Sequence, residues 1–276
     1  MIVFPNAKIN LGLNIIGKRK DGYHNIESVF YPIPLYDILE VIPTSNNENP
    51  FKLEVIDLPD DGKPNLVEKA YRALSKNYPI PPIEVVLKKN IPFAAGLGGG
   101  SSDAAYMLKI LSDLFINNIS NNELHEIGKS IGADVPFFIN NRPVFAEGIG
   151  TDFSDIELTL KGYYIALIKP NIAISTAEAY SGVTPAKPNY DLKETLKLPI
   201  NKWKDVVKND FETSLFPKYP RLKTIKEELY NIGAEYASMS GSGSSIFGIF
   251  KESPNREAIN KFLQDDDIVF IDEFKL

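Results

Sequence analysis

Residues 7–17, AKINLGLNIIG, alternate between apolar and polar with period two: Ile9, Leu11, Leu13 and Ile15 fall on one face, Lys8, Asn10, Gly12 and Asn14 on the other. That alternation predicts a half-buried strand with a polar face. KRKDGYHNIES then reads as a turn-rich connection, and ESVFYPIPLYDILEVIP returns to β-type character. Between Asn65 and Asn77 the apolar residues Leu66, Ala70, Tyr71 and Leu74 recur at helical spacing, and IEVVLKK at 83–89 reads as a strand. The stretch IPFAAGLGGGSSDAAYMLKIL, 91–111, therefore lies between a strand and a helix. Ser120 followed by Glu123 is a capping pattern that opens another helix, which stops at Gly132.

The pattern changes around AEGIGTDFSDIELTLKG, and a domain boundary is placed there, dividing the chain into 1–157 and 158–276. Beyond it the order is strand (YYIALIK), helices, a helix from Pro220 to Ile232 ended by Gly233, strand (EYASM), strand (SIFGIF), a helix from Pro254 and strand (DIVFIDEF). This is similar to a split β-α-β plan, an antiparallel sheet backed by helices, although Thr184 to Pro199 has little periodicity. The fold class is α+β.

A chain of 276 residues with 43% hydrophobic content is long and apolar enough to bury a sizeable core. No apolar run nears the roughly 18 residues that span a bilayer, and the first residues lack a leader's basic start and cleavage site, so a cytoplasmic protein without a membrane role is expected. With no cysteine and two histidines, thiolate and histidine-rich metal sites are not expected. A net charge of −6 argues against nucleic acid as a partner and requires that any anionic ligand be held by local donors.

Such donors are offered by Gly96, Gly98, Gly99 and Gly100 around Leu97, followed by Ser101 and Ser102. A helix start presents unpaired amides and partial positive charge, and glycine lets an anion approach the backbone. The spacing is not a Walker loop, for no Gly-Lys-Ser/Thr closes it, and Ser101 stands where a dinucleotide fingerprint needs its third glycine. A plain strand-to-helix turn capped by Ser101 or Ser102 is the alternative.

PFAAGLGGGSSDAA resembles the phosphate-binding motif of the superfamily of galactose, homoserine, mevalonate and phosphomevalonate kinases. AKINLGLNIIGKRKDGYHNIES resembles the N-terminal motif of one member family, ASMSGSGSSIFGIF the superfamily's C-terminal glycine motif, and GADVPFF supplies a fourth match in order. The resemblance implies two α+β domains, an N-terminal one of the type shared with a ribosomal protein and a C-terminal ferredoxin-like one, with the active site in the cleft between them. It implies ATP as phosphoryl donor, Mg2+ with it, and a cytidine diphosphate ester carrying a tertiary hydroxyl as acceptor. No obligate protein partner is inferred.

By that resemblance Asp134 is the general base, held at a loop-to-strand junction before Pro136, and Lys8 pairs with it and favours the developing alkoxide. Pro92, Phe93, Ala94, Ala95, Gly96, Leu97, Gly98, Gly99, Gly100, Ser101 and Ser102 form the phosphate cradle, with Asn65 and Lys89 near the nucleoside. Asn10 shares the Lys8 face, Tyr23 stacks on cytosine, His24 hydrogen-bonds its polar edge, and Tyr180 is a second aromatic wall. Gly241 and Gly243 let backbone approach the substrate. No protein ligands to the metal are assigned. Read without the family, Asp134 is a turn or capping aspartate, Asn65 a helix cap, Lys89 a lysine whose stem lies along a strand end, and SGSGS a hairpin turn. The rival readings are a kinase of mevalonate, homoserine or a sugar, for which DGYH is not needed, a nucleotide-binding regulator, and a nucleic-acid-binding module.

Overall fold

A computed structural model describes residues 1–46, 48–57, 64–116 and 118–275. The chain forms two compact units, each assembled from separate segments: Met1–Ala7, Leu35–Phe93 and Gly98–Arg142 make the first, and Lys8–Pro34, Ala94–Leu97 and Pro143–Leu276 the second.

In the first unit, strands β1 (Ile2–Val3), β4 (Ile38–Pro43), β5 (Phe51–Ile56) and β6 (Ile83–Lys88) form a sheet of order β1-β4-β6-β5. β4 runs antiparallel to β1 and β6, and β5 runs parallel to β6. The period-two reading of IEVVLKK holds, for Ile83, Val85 and Leu87 are buried. Helix α1 (Leu66–Ser75) starts where the Asn65 side chain accepts the Val67 amide at 2.9 Å, and it buries Val67, Ala70, Tyr71 and Leu74. Helix α2 (Gly99–Phe115) follows the glycines and buries Ala104, Ala105, Met107, Leu108, Ile110 and Leu111, packed against α1 and β4. Helix α3 (Asn121–Ile131) is capped by Ser120, whose hydroxyl accepts the Glu123 amide at 3.2 Å, and it ends at Gly132 as the sequence pattern requires.

One element departs from expectation. Asp134 does not enter a strand; it is the N-cap of a short helix, α4 (Val135–Asn140), which packs on α2 and α3. Pro136 explains the difference: its fixed φ and missing amide donor suit the first turn of a helix, where those donors have no intrahelical partner.

The second unit holds two sheets. Strands β2 (Asn6–Lys18), β3 (His24–Tyr36), β7 (Val144–Glu147) and β8 (Asp152–Asp155) take the order β2-β3-β7-β8. Strands β9 (Tyr164–Lys169), β10 (Tyr236–Met239), β11 (Ile246–Phe250) and β12 (Ile268–Glu273) form a sheet of order β10-β11-β9-β12 in which every pairing is antiparallel. Helices α5 (Thr176–Ser181), α6 (Leu192–Thr195), α7 (Phe211–Lys218) and α8 (Pro220–Asn231) lie between β9 and β10, and α9 (Arg256–Asn260) lies between β11 and β12. This is the ferredoxin-like arrangement expected. Phe211, Leu215, Leu222, Ile225 and Leu229 from α7 and α8 share a core with Ala166, Ile168, Met239 and Ile246 of the sheet. The last helix begins at Arg256 rather than Pro254, because Asn255 caps it by accepting the Glu257 amide at 2.8 Å.

The first long strand is also more buried than its alternation suggests. Lys8, Asn10 and Asn14 on its polar face are 4%, 2% and 2% exposed. Chain remote in sequence covers that face. The Tyr190 hydroxyl donates to Asn14 Oδ1 at 2.8 Å, and a Cβ on Gly12 would lie 2.8 Å from Leu192 Cδ1.

The connection between β10 and β11, residues 240–245, is the hairpin that SGSGS suggested, and it serves a further purpose. The Ser240 hydroxyl donates to the Gly96 carbonyl at 2.9 Å and the Ser245 amide to the Ala95 carbonyl at 3.3 Å. Buried Asn209 braces it by donating to the carbonyls of Met239 and Gly241, both at 2.8 Å. Gly96 has φ +75°, and a Cβ there would stand 2.0 Å from the Ser240 carbonyl oxygen. Gly96→Ala therefore combines a left-handed backbone with a clash against main chain. It is expected to cost on the order of 2–4 kcal/mol of stability, read as a lowered urea midpoint, whereas alanine at open Gly17 has no such clash to meet.

Candidate active site

The residues singled out by sequence gather into four places, each described within its own unit. The first is the start of α2. Its N-cap is Gly98, at φ +71°, and no side chain caps the helix. Ser101 and Ser102 lie inside the helix rather than at its cap, so the plain capped-turn alternative does not hold. The first-turn amides are left without side-chain acceptors, at the positive end of a 17-residue helix. Ser102 is fully buried and its hydroxyl has no partner among the described residues. The preceding segment is mixed: Phe93 is 64% exposed, whereas Ala95 and Leu97 are buried. The segment before Asp134 lies alongside, for a Cβ on Gly132 would be 3.7 Å from Ser101 Oγ. The start of α1 is close as well, because a Cβ on Gly100 would meet Leu66 Cδ1 at 3.6 Å. Asn65 is thus both a helix cap and a neighbour of the glycine helix.

The second place is a buried charge cluster. Lys89 does not extend along the strand end into solvent; its side chain is 7% exposed and its ammonium is shared by Asp37 and by Asp103, the latter at 2.5 Å. A Cβ on Gly99 would be 3.4 Å from that ammonium nitrogen. Asp37 also accepts the amides of Asn90 at 2.6 Å and Ile91 at 2.8 Å, fastening the chain just before the glycines. Burial pushes the Asp103 carboxyl up to about 7, with Lys89 pulling it down and Asp37 pushing it further up. Burial opposes charge on Lys89, but Asp103 and Asp37 outweigh it and raise its pKa. Asp37 and Asp103 were not singled out by sequence. The available signal was an aspartate inside the otherwise apolar helical run after SS, and another between two β-type runs.

The third place is the polar face of β2. Lys8 Nζ donates to Asn10 Oδ1 at 2.6 Å and sits 4.6 Å from the Phe30 ring centroid. Asn10 donates to Ser28 Oγ at 2.8 Å, and Ser28 donates to the Gly12 carbonyl at 2.6 Å. The Lys8 amide donates to the Leu97 carbonyl at 2.9 Å, tying the strand to the glycine-rich segment. This chain of bonds holds a buried ammonium in one orientation.

The fourth is a cavity of about 500 Å³ lined by Lys18, Tyr23, His24, Thr176 and Tyr180 among others. It brings together the three aromatic residues expected there. His24 and Tyr180 are stacked, with ring centroids 4.8 Å apart and planes 17° apart, while Tyr23 is 62% exposed. Phe211 meets Tyr180 edge-on at 4.9 Å and backs the pair. Gly241 and Gly243, in the β10–β11 hairpin, have φ +53° and +83°, conformations that glycine adopts without strain.

The first unit thus holds an uncapped helix start with the half-buried Asp134 in the segment that follows Gly132, and the second unit holds a fixed lysine ammonium, groups of the kinds that phosphoryl transfer uses. Residues 65–142 match the GHMP kinases N terminal domain, and residues 196–266 match the GHMP kinases C terminal family. The chain belongs to the GHMP kinase family. It is 54% identical over 252 residues to the 4-diphosphocytidyl-2-C-methyl-D-erythritol kinase of Parabacteroides distasonis, covering 91% of this chain and 92% of the relative. A crystal structure of 4-(cytidine 5'-diphospho)-2C-methyl-D-erythritol kinase matches with a TM-score of 0.82 at 29% identity over 98% of both chains. The mevalonate kinase of Methanococcus jannaschii shares the fold, with a TM-score of 0.76 at 15% identity over 100% of this chain and 98% of that one.

The Asp103 carboxyl has a consequence for stability. The folded protein keeps its proton to about 7, whereas the unfolded chain releases it near the ordinary value of about 4. Between those values the folded state binds more protons, so this group's contribution to stability falls as pH rises through the window and is level above it. Asp103→Asn is expected to flatten that part of the profile, measured as the difference in Tm between variant and parent from pH 4.5 to 8.

Proposed function

We propose that the chain transfers the γ-phosphoryl group of ATP to the C2 hydroxyl of 4-diphosphocytidyl-2-C-methyl-D-erythritol, giving the 2-phosphate, a step in non-mevalonate formation of isoprenoid precursors. The observation that carries the choice of substrate is the aromatic cavity around Tyr23, His24 and Tyr180, in a chain whose 54%-identical relative bears that enzyme's name. Mevalonate and homoserine have no base to place there. The stacked His24 and Tyr180 rings leave no space for a base between them, so cytosine stacks on Tyr23 and bonds to the His24 edge, with Tyr180 holding His24 in place.

ATP lies with its triphosphate on the first-turn amides of Gly99 to Ser101, since the Ser102 amide donates to the Gly98 carbonyl at 2.9 Å, in a cradle that Pro92 to Gly98 and Ser102 complete, and its nucleoside beside Asn65 and Lys89. Mg2+ bound with the triphosphate would offset its charge; among the described residues no group of three His, Cys, Asp or Glu side chains is arranged to hold a metal ion. Asp134 accepts the hydroxyl proton, and Lys8, oriented by Asn10, stabilises the developing alkoxide. Gly241 and Gly243 let main chain approach the substrate. The division at 157/158 is retained as the point where the chain leaves one sheet for another, since β8 ends at Asp155 and β9 opens at Tyr164. A cytoplasmic location and small molecules rather than nucleic acid as partners belong to the same reading, supported by the use of ATP and the net charge of −6. No helix among the described residues is long and apolar enough to cross a membrane.

Incubation with ATP, Mg2+ and the cytidyl ester, followed by phosphorus NMR, is expected to show a new phosphomonoester at C2; turnover of mevalonate or homoserine in its place would refute the substrate assignment. Asp134→Asn is expected to lower kcat by about 10²–10⁴-fold with nucleotide affinity kept. Tyr23→Ala is expected to raise KM for the cytidyl ester by about 5- to 150-fold and leave KM for ATP unchanged, as removal of one stacking contact predicts.

A further inference from the structure

Two carboxylates, Asp37 and Asp103, converge on the single ammonium of Lys89, and all three groups are buried. The two acids are not equivalent. Asp37 is satisfied by three donors, the Lys89 ammonium and the amides of Asn90 and Ile91. Asp103 has one oxygen on Lys89 and the other, Oδ1, buried without a hydrogen-bond partner among the described residues. The hydroxyl of the preceding residue, Ser102, is likewise buried and has no partner among the described residues. A cluster of two acids and one base carries a surplus negative charge when both acids are ionised, and an anion at the neighbouring amides of α2 adds to it.

We propose that Asp37 and Asp103 are positioning residues that clamp Lys89 beside the start of α2, and that binding of a nucleoside triphosphate at that helix start draws a proton onto Asp103. The proposal rests on the assignment of the triphosphate to the α2 amides given above. Asp37 sets the height of the chain before the glycines through its two amide bonds, and Lys89 carries that constraint across to the helix. Asp103, adjoining Ser102 in sequence, senses charge at the amides. Burial already holds its carboxyl up to about 7 in the free protein, so added repulsion from an anion at the amides shifts it further toward the protonated form.

Lys89 from the end of β6 and Asp37 from the start of β4 are the charged groups that act on Asp103. On α1, Glu68 and Arg72 pair with each other at the surface; on α3, Glu123 receives the Tyr78 hydroxyl and Lys129 bonds Glu126. α4 has no ionisable side chain of its own, and Asp134 is its N-cap. On α2 itself, Lys109 and Asp113 lie further along and act on each other.

Calorimetry of the β,γ-imido analogue of ATP with Mg2+, in buffers of different ionisation enthalpy at pH 7, counts the protons exchanged. Protons lost or gained by the nucleotide itself are common to parent and Asp103→Asn and cancel in the difference. The parent is expected to take up about 0.4 proton more than the variant if binding raises the carboxyl by one unit, and its affinity to weaken by up to about tenfold between pH 6 and 9. Equal proton counts with both proteins binding would overturn the proposal and leave the nucleotide site standing. Absence of binding by the parent would instead overturn the nucleotide assignment, and the proposal with it. If Asp103→Asn does not fold, carbon-13 NMR titration of the Asp103 carboxyl in the parent decides: an upward shift of its midpoint on binding supports the proposal, and an unchanged midpoint refutes it.

Discussion

The chemistry proposed for this protein depends on a helix that begins without a side-chain cap. Most helices satisfy their first amides with a serine, threonine, aspartate or asparagine, as α1, α3, α5 and α9 do here. At α2 a left-handed glycine takes the cap position, the two serines are drawn inside the helix, and the first-turn amides have no side-chain acceptor. Leaving them bare costs stability in the free protein. The apolar burial of the rest of α2 and its packing against α1 and α4 offset that cost.

The same economy appears in the buried polar groups. Lys8, Asn10 and Ser28 form one chain of bonds; Asp37, Lys89 and Asp103 a second; Asn209, whose amide braces the β10–β11 hairpin, and Glu212, which accepts the Met239 amide at 2.8 Å and the Ser238 hydroxyl at 3.0 Å, a third. Each stands next to one of the four sequence motifs. Buried ammonium and carboxylate groups are poor sources of stability, since desolvation cancels most of their attraction, but they permit few alternative arrangements. A phosphoryl-transfer site gains from that restriction, because its rate depends on alignment.

Several features were legible from the chain alone. Ile83, Val85 and Leu87 announced a strand and Leu66, Ala70 and Leu74 a helix, because local periodicity reports which side of an element faces the core. The Ser120 and Asn65 caps and the order of elements after residue 163 were equally readable, and the glycine motifs pointed to the right family. Short elements escaped. β1, β5, β7, β8 and α6 span between two and six residues, too few for a period to declare itself. The residues around Pro136 suit a loop-to-strand junction and a helix start equally by local pattern, and packing on α2 and α3 selects the helix.

By itself the sequence determined the elements and the chemistry on offer: a glycine-rich helix start, a lysine on the first long strand, an aspartate before VPFF and an aromatic pair in DGYH. These follow from properties of neighbouring residues, which periodicity, capping and turn chemistry encode locally. Tertiary structure decided what surrounds them. The covering of Asn14 by Tyr190, the meeting of Asp37 with Lys89 and Asp103, the stacking of His24 on Tyr180 and the fit of Gly96 against Ser240 each join residues from 14 to 176 positions apart. No local pattern records such a meeting, because it is packing of whole elements that brings those side chains into reach.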